Sequence, residues 1–172
     1  TSLIIEMIGA ALLAPVFCND LGIAKGLWYS LFHSISAFCN AGFDLFGIRE
    51  PFSSLTFYHS NIYLNIIIMM LIITGGIGFL VWGDIRIHKN RIRRFSLQSK
   101  VVLMTSAVLI VLPALYFFFY EYDRETIHDR TIHSLFQSVT TRTAGFNTTD
   151  LAAMDESGTA IMIILMLIGG SP

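Results

Sequence analysis

Two stretches without a formal charge, residues 61–82 and 101–120, set the terms for any fold of this chain. They hold twenty-two and twenty residues, and about 20 apolar residues make a helix that crosses the hydrocarbon of a bilayer. Each is read as a membrane span. Composition agrees, since 54% of the 172 residues are hydrophobic and only 13% are charged, against roughly 25% charged in an average soluble domain. Two further apolar stretches flank the spans: residues 1–17, interrupted by Glu6, and residues 159–170. With neither an initiator Met nor a cleavable signal pattern, the chain is read as a piece of something longer. Cys18 and Cys39 are too few for a disulfide framework or a cysteine-rich zinc site. A net charge of −1 offers no basic field for nucleic acid.

The charges lie between the apolar stretches. Residues 84–100 hold Arg86, Lys89, Arg91, Arg93, Arg94 and Lys100, six of the eleven basic residues. The region 120–158 carries Glu121, Asp123, Glu125, Asp129, Asp150, Asp155 and Glu156. The positive-inside rule puts the basic loop in the cytoplasm, so span 61–82 runs inward and span 101–120 outward. The basic run is either a solvated loop of topological meaning or a docking surface for a cytoplasmic partner. Residues 18–60 and 121–158 then face outside, yet each contains an apolar stretch too short to cross. Residues 26–39 are fourteen in number, about 21 Å as a helix. In 126–140, Ile127, Ile132, Leu135, Phe136 and Val139 recur at near-helical spacing. Both are read as re-entrant or interfacial half-helices.

A repeat runs through the chain. Leu31-Phe32-His33-Ser34-Ile35-Ser36-Ala37 returns as Leu135-Phe136-Gln137-Ser138-Val139-Thr140-Thr141, 104 residues later. After a one-residue gap, Asn40-Ala41-Gly42-Phe43-Asp44 returns as Thr143-Ala144-Gly145-Phe146-Asn147, 103 residues later. Each copy has the same setting, an outward span, a half-helix, Ala-Gly-Phe, an extended outer segment and an inward span. Non-helical backbone at membrane depth is tolerated only where protein buries it or it lines a water-filled cavity. A half-helix ending there aims its negative carbonyl end at the cavity, which favours a cation. Glycine permits the backbone angles that turn several carbonyls toward one axis, and such carbonyls replace a hydration shell in cation filters. The pattern is read as two pore loops. Asn40, Ala41, Gly42 and Phe43, with Thr143, Ala144, Gly145 and Phe146, supply backbone carbonyls, and each Phe wedges its loop against neighbouring helices. Two loops enclose half a ring, so the rest of the parent protein is expected to supply more.

On these residues the chain resembles the Ktr/Trk/HKT superfamily of potassium transporters, and within it the KtrB-type membrane subunits. Phe32-His33-Ser34-Ile35-Ser36-Ala37-Phe38-Cys39-Asn40-Ala41-Gly42-Phe43-Asp44 resembles that family's second pore loop, and Ser138-Val139-Thr140-Thr141-Arg142-Thr143-Ala144-Gly145-Phe146-Asn147-Thr148 resembles its third. Gly169-Gly170-Ser171-Pro172 resembles the start of the intramembrane loop of the third repeat. The resemblance covers essentially the whole chain. It implies an all-α multi-pass membrane protein with four M1–pore loop–M2 repeats around one pseudo-fourfold pore, Gly42 and Gly145 matching two of four filter glycines. It implies K⁺ uptake. Glycine at the filter goes with K⁺ in this family, while serine in the first repeat of some plant relatives goes with Na⁺. It further implies a homodimer in membrane lipid, docked on a cytoplasmic nucleotide-binding ring of the KtrA type, which would give residues 84–100 a neighbour. Na⁺ dependence belongs to parts of the family, with no residue here assigned to it. The gating loop and the pore-lining arginine of the fourth repeat fall beyond the residues present.

Other residues carry narrower expectations. Glu6, an acid in an apolar stretch, is a candidate for a pore or coupling role, unless it lies near the interface. Asp44, with Asn147 at the matching place, either concentrates cations at the outer mouth or caps its own loop. Arg142 would repel cations if it faced the pore, and is expected instead behind the loop, held by an ion pair with an outer acid. Thr74-Gly75-Gly76-Ile77-Gly78 lacks a full phosphate-binding fingerprint and reads as small residues for close helix packing. Asn147-Thr148-Thr149 is formally a glycosylation sequon, discounted because it borders the filter. The five histidines show no metal-ligand spacing, and His33 reads as a packed, hydrogen-bonded residue. Pro113 reads as a kink. An intramembrane enzyme would need a nucleophile with its base, or a paired acid or metal set, at membrane depth; Thr74, Thr105 and Ser106 have no such partners, so no catalytic residue is assigned. The alternatives to a K⁺ pathway are a membrane scaffold and a Na⁺-conducting relative.

The expected organisation is a pore repeat over 1–83, with a partial M1, a pore helix 26–39, a filter 40–44 and M2 61–82. A basic linker over 84–100 follows. A second repeat over 101–172 has M1 101–120, a pore helix 126–141, a filter 143–147 and the start of M2 at 159–172.

Overall fold

The computed structural model of the protein describes residues 2–48, 53–89 and 92–169. Arg91 of the basic loop and Gly170-Ser171-Pro172 lie outside the described residues. Among the described residues seven α-helices form and there is no strand. In chain order they are α1 (Ser2–Leu21), α2 (Ile23–Phe38), α3 (Ile62–Gly76), α4 (Phe79–His88), α5 (Leu97–Tyr116), α6 (Ile127–Thr143) and α7 (Glu156–Ile168). A π-helical turn, Phe117–Glu121, continues α5. Helix α1 and the continuous helix over Leu97–Glu121 are each long and apolar enough to cross a membrane. Their exposed faces carry Leu3, Ile4, Met7 and Ile8 on α1 and Val101, Met104, Val111 and Leu112 on α5, as expected of surfaces that meet lipid or further protein rather than water.

Capping residues start the helices where local chemistry allows. The Asn61 side chain accepts the Leu64 N–H, Ser96 accepts the Ser99 N–H, and Thr126 accepts the Asp129 N–H, each satisfying a donor that the first turn leaves orphaned. Helix α2 begins at Ile23 and α6 ends at Thr143, so the two half-helices are slightly longer than 26–39 and 126–141. Helix α1 runs on past residue 17 to Leu21, and α7 starts at Glu156, three residues before 159.

The uncharged stretch 61–82 is not one straight span. Helix α3 stops at Gly76 and α4 leaves it at 92°. Gly78 makes the corner at φ +86, a backbone angle that glycine adopts without the steric penalty of a β-carbon. The corner is tied shut by Trp82, whose Nε1 donates to the Thr74 carbonyl across the break at 3.0 Å. Helix α4 therefore takes up part of the segment 84–100. It is fastened to the start of α5 by Asp84, which accepts the Ser96 N–H, the Ser96 hydroxyl and the Ser99 hydroxyl at 2.9, 2.6 and 2.6 Å.

The sequence repeat is also a repeat of contacts. Ser34 on α2 donates its hydroxyl to the Glu6 carbonyl on α1 at 2.7 Å, and Ser138 on α6 donates to the Ile110 carbonyl on α5 at 2.6 Å. Both donor and acceptor move by the same 104 positions. Each half-helix is thus hung from its long helix by the same bond. The main core joins the copies. Leu13 and Phe17 of α1, Leu64, Ile68 and Leu71 of α3, and Phe136, Val139 and Phe146 of the second copy belong to one buried cluster. A smaller cluster, Phe117, Tyr122, Met162 and Leu165, holds α7 against the end of α5.

Candidate functional site

Helices α2 and α6 end at the two Ala-Gly-Phe segments, and the structure brings these segments into contact. Gly42 and Gly145 share a left-handed backbone, φ +72 and +78. A β-carbon on Gly42 would overlap the Ala144 carbonyl oxygen and lie 3.3 Å from the Gly145 α-carbon. A β-carbon on Gly145 would meet only the Gly42 α-carbon, at 3.8 Å. Only glycine at 42 allows both this angle and this approach.

The loops are fastened at their ends and open between. Ala41 N–H bonds the Ser36 carbonyl at 2.9 Å, and in the second copy the Ala144 and Gly145 N–H groups bond the Thr140 carbonyl at 3.0 and 3.2 Å. The Phe43 carbonyl accepts the Ser36 hydroxyl at 2.7 Å, and the Phe146 carbonyl accepts the Thr140 hydroxyl at 2.8 Å. Among the described residues, the carbonyls of Asn40, Ala41, Gly42, Ala144 and Gly145 accept no hydrogen bond. Unpaired backbone carbonyls away from water are costly, so their collection at two helix C-termini makes a place for a positive partner.

The remaining expected site residues divide. Thr143, expected at the start of the filter 143–147, is the last residue of α6. Asn40 takes a left-handed angle, φ +52, and its amide faces the end of α3, donating to the Ile72 carbonyl at 3.3 Å and accepting the Gly76 N–H at 3.2 Å. Gly75 of α3 packs directly on the Phe38 carbonyl, leaving no room for a β-carbon, which matches close packing by small residues. Asp44 Oδ1 accepts the Phe46 N–H at 3.0 Å, the capping role. Asn147 is clasped by the first copy, its carbonyl accepting the Leu55 N–H at 2.8 Å and its N–H bonding the Ser54 hydroxyl at 3.2 Å.

Two expectations are corrected. The Phe wedges are unequal: Phe146 is wholly buried beside His33, with ring centroids 6.3 Å apart, whereas Phe43 is 69% exposed. The second loop leans on the first copy through Phe146. Arg142 does lie behind its loop, buried, but its Nη2 donates to the Ser106 hydroxyl of α5 at 3.1 Å and no acid pairs with it among the described residues. The acids are at the far end of α6, about 22 Å away at 1.5 Å per residue, and are engaged there. Glu125 meets His133 Nδ1 at 2.6 Å, and Glu121 accepts the Asp155 N–H at 3.0 Å. Glu6 is buried within α1.

His33 is packed and hydrogen-bonded, as its setting suggested. Its Nε2 accepts the Leu45 N–H at 3.4 Å, so Nδ1 carries the proton and donates to the Tyr29 carbonyl at 2.7 Å. It braces the chain leaving the first loop. Ser36, Thr140, Ser54 and Leu55 carry no recognisable motif; only the repeat register, which pairs Ser36 with Thr140, could have drawn attention to the first two.

A family profile described as TrkH, cation transport protein, matches residues 1–172. The chain belongs to the TrkH cation transport family. It is 39% identical over 175 residues to the potassium/sodium uptake protein NtpJ of Enterococcus hirae, covering 99% of this chain and 38% of that protein. It is 38% identical over 174 residues to the Ktr system potassium uptake protein B of Bacillus subtilis, covering 98% of this chain and 38% of the relative. The protein of the same description from Vibrio alginolyticus is 34% identical over 175 residues, covering 98% of this chain and 37% of the relative. The chain thus spans less than two fifths of the length of these relatives. TrkH membership and the apolar helices together make this an all-α membrane protein of a cation transport family, and the relatives are named for uptake rather than for catalysis.

Proposed function

We propose that this TrkH-family chain supplies two of the filter loops of a potassium uptake protein, through which K⁺ passes passively. One observation carries the reading: two glycine-bearing loops, equivalent by sequence and by hydrogen bonding, meet with carbonyls that accept nothing from the protein. The C-terminal ends of α2 and α6 add the negative pole of their dipoles. Carbonyls of residues 40–43 and 143–146 then replace water around the ion, those of Phe43 and Phe146 through the lone pair that their hydroxyl bonds leave open. Gly42 and Gly145 provide the backbone angle. Asp44 and Asn147 stand at the outer mouth, and Arg142 holds the second loop from behind.

The names of the relatives support K⁺ as cargo. A second reading, passage of Na⁺ as well, draws on the relative named for potassium and sodium uptake. The basic run 84–100 faces the cytoplasm on the positive-inside rule, which puts the loops near the outer face of the cell membrane. Relatives named as parts of a Ktr system support an assembly of more than one component, which we read as a homodimer with a nucleotide-binding regulatory ring against that basic face.

The test is Rb⁺ and Na⁺ uptake by the full-length protein in cells lacking their own potassium uptake, at matched membrane levels. Gly42→Ser and Gly145→Ser are expected to lose Rb⁺ uptake or shift it toward Na⁺. Unchanged uptake and selectivity in both would leave a membrane scaffold.

A further inference from the structure

The hydroxyls of Ser36 and Thr140 bond the loops that follow their own helices. A buried Ser or Thr inside a helix commonly returns its hydroxyl to the carbonyl four residues back. Ser30 does so to Gly26 at 2.7 Å and Thr141, next to Thr140, bonds Gln137, whereas Ser34 and Ser138 donate across to the long helices. Ser36 and Thr140 reach forward instead, out of their helices, to the carbonyls of Phe43 and Phe146. They occupy equivalent positions 104 residues apart, and they are 5% and 3% exposed.

The same two residues hold their loops a second time through the backbone. The Ser36 carbonyl takes the Ala41 N–H, and the Thr140 carbonyl takes the N–H groups of Ala144 and Gly145. Each loop is therefore closed on a single helical residue at both ends. Between the two attachment points lie the left-handed glycine and the unbonded carbonyls of Ala41 and Gly42 in one loop and of Ala144 and Gly145 in the other.

We propose that Ser36 and Thr140 are positioning residues for ion selection, each hydroxyl fixing the outermost carbonyl of its loop and, through it, the spacing of the carbonyls below. The inference rests on the filter reading above. A filter prefers one cation over another only while the number and placement of its carbonyl dipoles resist adjustment to the other ion. With the hydroxyl removed, the Phe carbonyl is free to turn, and the loop can close around a smaller ion. Neither residue need touch the ion.

The experiment compares Rb⁺ and Na⁺ uptake by the full-length protein carrying Ser36→Ala, Thr140→Ala or both, with Ser36→Thr and Thr140→Ser as conservative variants. Gly42→Ser serves as the reference for the filter itself. Each alanine variant is expected to lower the Rb⁺/Na⁺ uptake ratio on the order of fivefold, the equivalent of one neutral hydrogen bond. The hydroxyl-keeping variants are expected to stay within about twofold of the parent ratio, inside the spread of such hydrogen-bond values. If alanine reduces the amount in the membrane, Thr140→Val and Ser36→Cys keep the volume, remove or weaken the donor, and are scored by the same ratio. A ratio that moves in Gly42→Ser but stays at the parent value in the donor-lacking variants overturns the positioning role and leaves the filter intact. A ratio unmoved in every variant, Gly42→Ser included, overturns the filter reading and this inference with it.

Discussion

Gly42 lies against the carbonyl of Ala144 with no room for a β-carbon between them. The contact ties a residue of the first copy to its near-equivalent in the second, 102 positions away. In the proposed filter, the Ala144 carbonyl belongs to the row that would meet the ion.

The two glycines are expected to differ when each is replaced by alanine. Gly145→Ala meets only an ordinary contact, the Gly42 α-carbon at 3.8 Å, and carries mainly the penalty of a left-handed angle, about 1–2 kcal/mol. Gly42→Ala carries that penalty and a steric overlap, about 1–3 kcal/mol more. Thermal stability of the full-length protein in detergent should therefore fall further for Gly42→Ala, with Rb⁺ uptake falling in the same order. Equal losses would contradict the close approach at Gly42.

Neighbouring glycines in α3 give a second contrast. A β-carbon at Gly75 would overlap the Phe38 carbonyl at the end of α2, whereas at Gly76 it would sit 3.5 Å from the Asn40 amide. Gly75→Ala should destabilise the protein and impair transport. Gly76→Ala should be near neutral, with up to about 1 kcal/mol gained from helix propensity. Thermal unfolding of the two variants side by side decides it.

Arg142 and Ser106 should behave as a coupled pair. Ser106→Ala removes the acceptor of a buried guanidinium, costing about 1–3 kcal/mol. Arg142→Met removes the charge that needs it. The double variant should lose less stability than the sum of the single losses, a coupling that a double-mutant cycle measures. Strict additivity would show that the bond carries no weight.

Asp84, at the start of the basic segment, gives a pH dependence. Three hydrogen bonds from Ser96 and Ser99 hold its carboxyl at about 2, below the usual 3.8. A carboxyl lowered in the folded state stabilises above its unfolded value and loses that contribution as pH falls through the folded one. Asp84→Ala should lower the melting temperature at neutral pH. The gap to the parent should narrow as pH drops from about 4 toward 2, and a gap that stays constant would count against the clasp.

Family, all-helical fold and the doubled loop were legible because each is written in local pattern. Uncharged runs, a basic segment and a repeated Ala-Gly-Phe need no knowledge of tertiary contacts. The break at Ile77-Gly78 was not legible, because hydropathy measures what a segment dissolves in and is blind to its direction. Residues 61–82 read as one span for that reason. Arg142 was expected to find an acid, since the nearby sequence is acidic, but a helix of 17 residues carries it away from those acids to Ser106. The unequal burial of Phe43 and Phe146 was hidden too. The two copies look alike in sequence, and burial depends on tertiary contacts that a repeated pattern does not show. Ser36 and Thr140 were visible as a matched pair, but their forward reach depends on where the loop turns back.

In the proposed filter the carbonyls of both loops face one ion path. An anomalous difference map of the full-length protein crystallised in Rb⁺ tests it most directly. The account predicts a Rb⁺ peak within coordination distance of the carbonyls of Ala41 and Gly42 from one loop and Ala144 and Gly145 from the other. Rb⁺ bound elsewhere, with these carbonyls turned away from it, would contradict it.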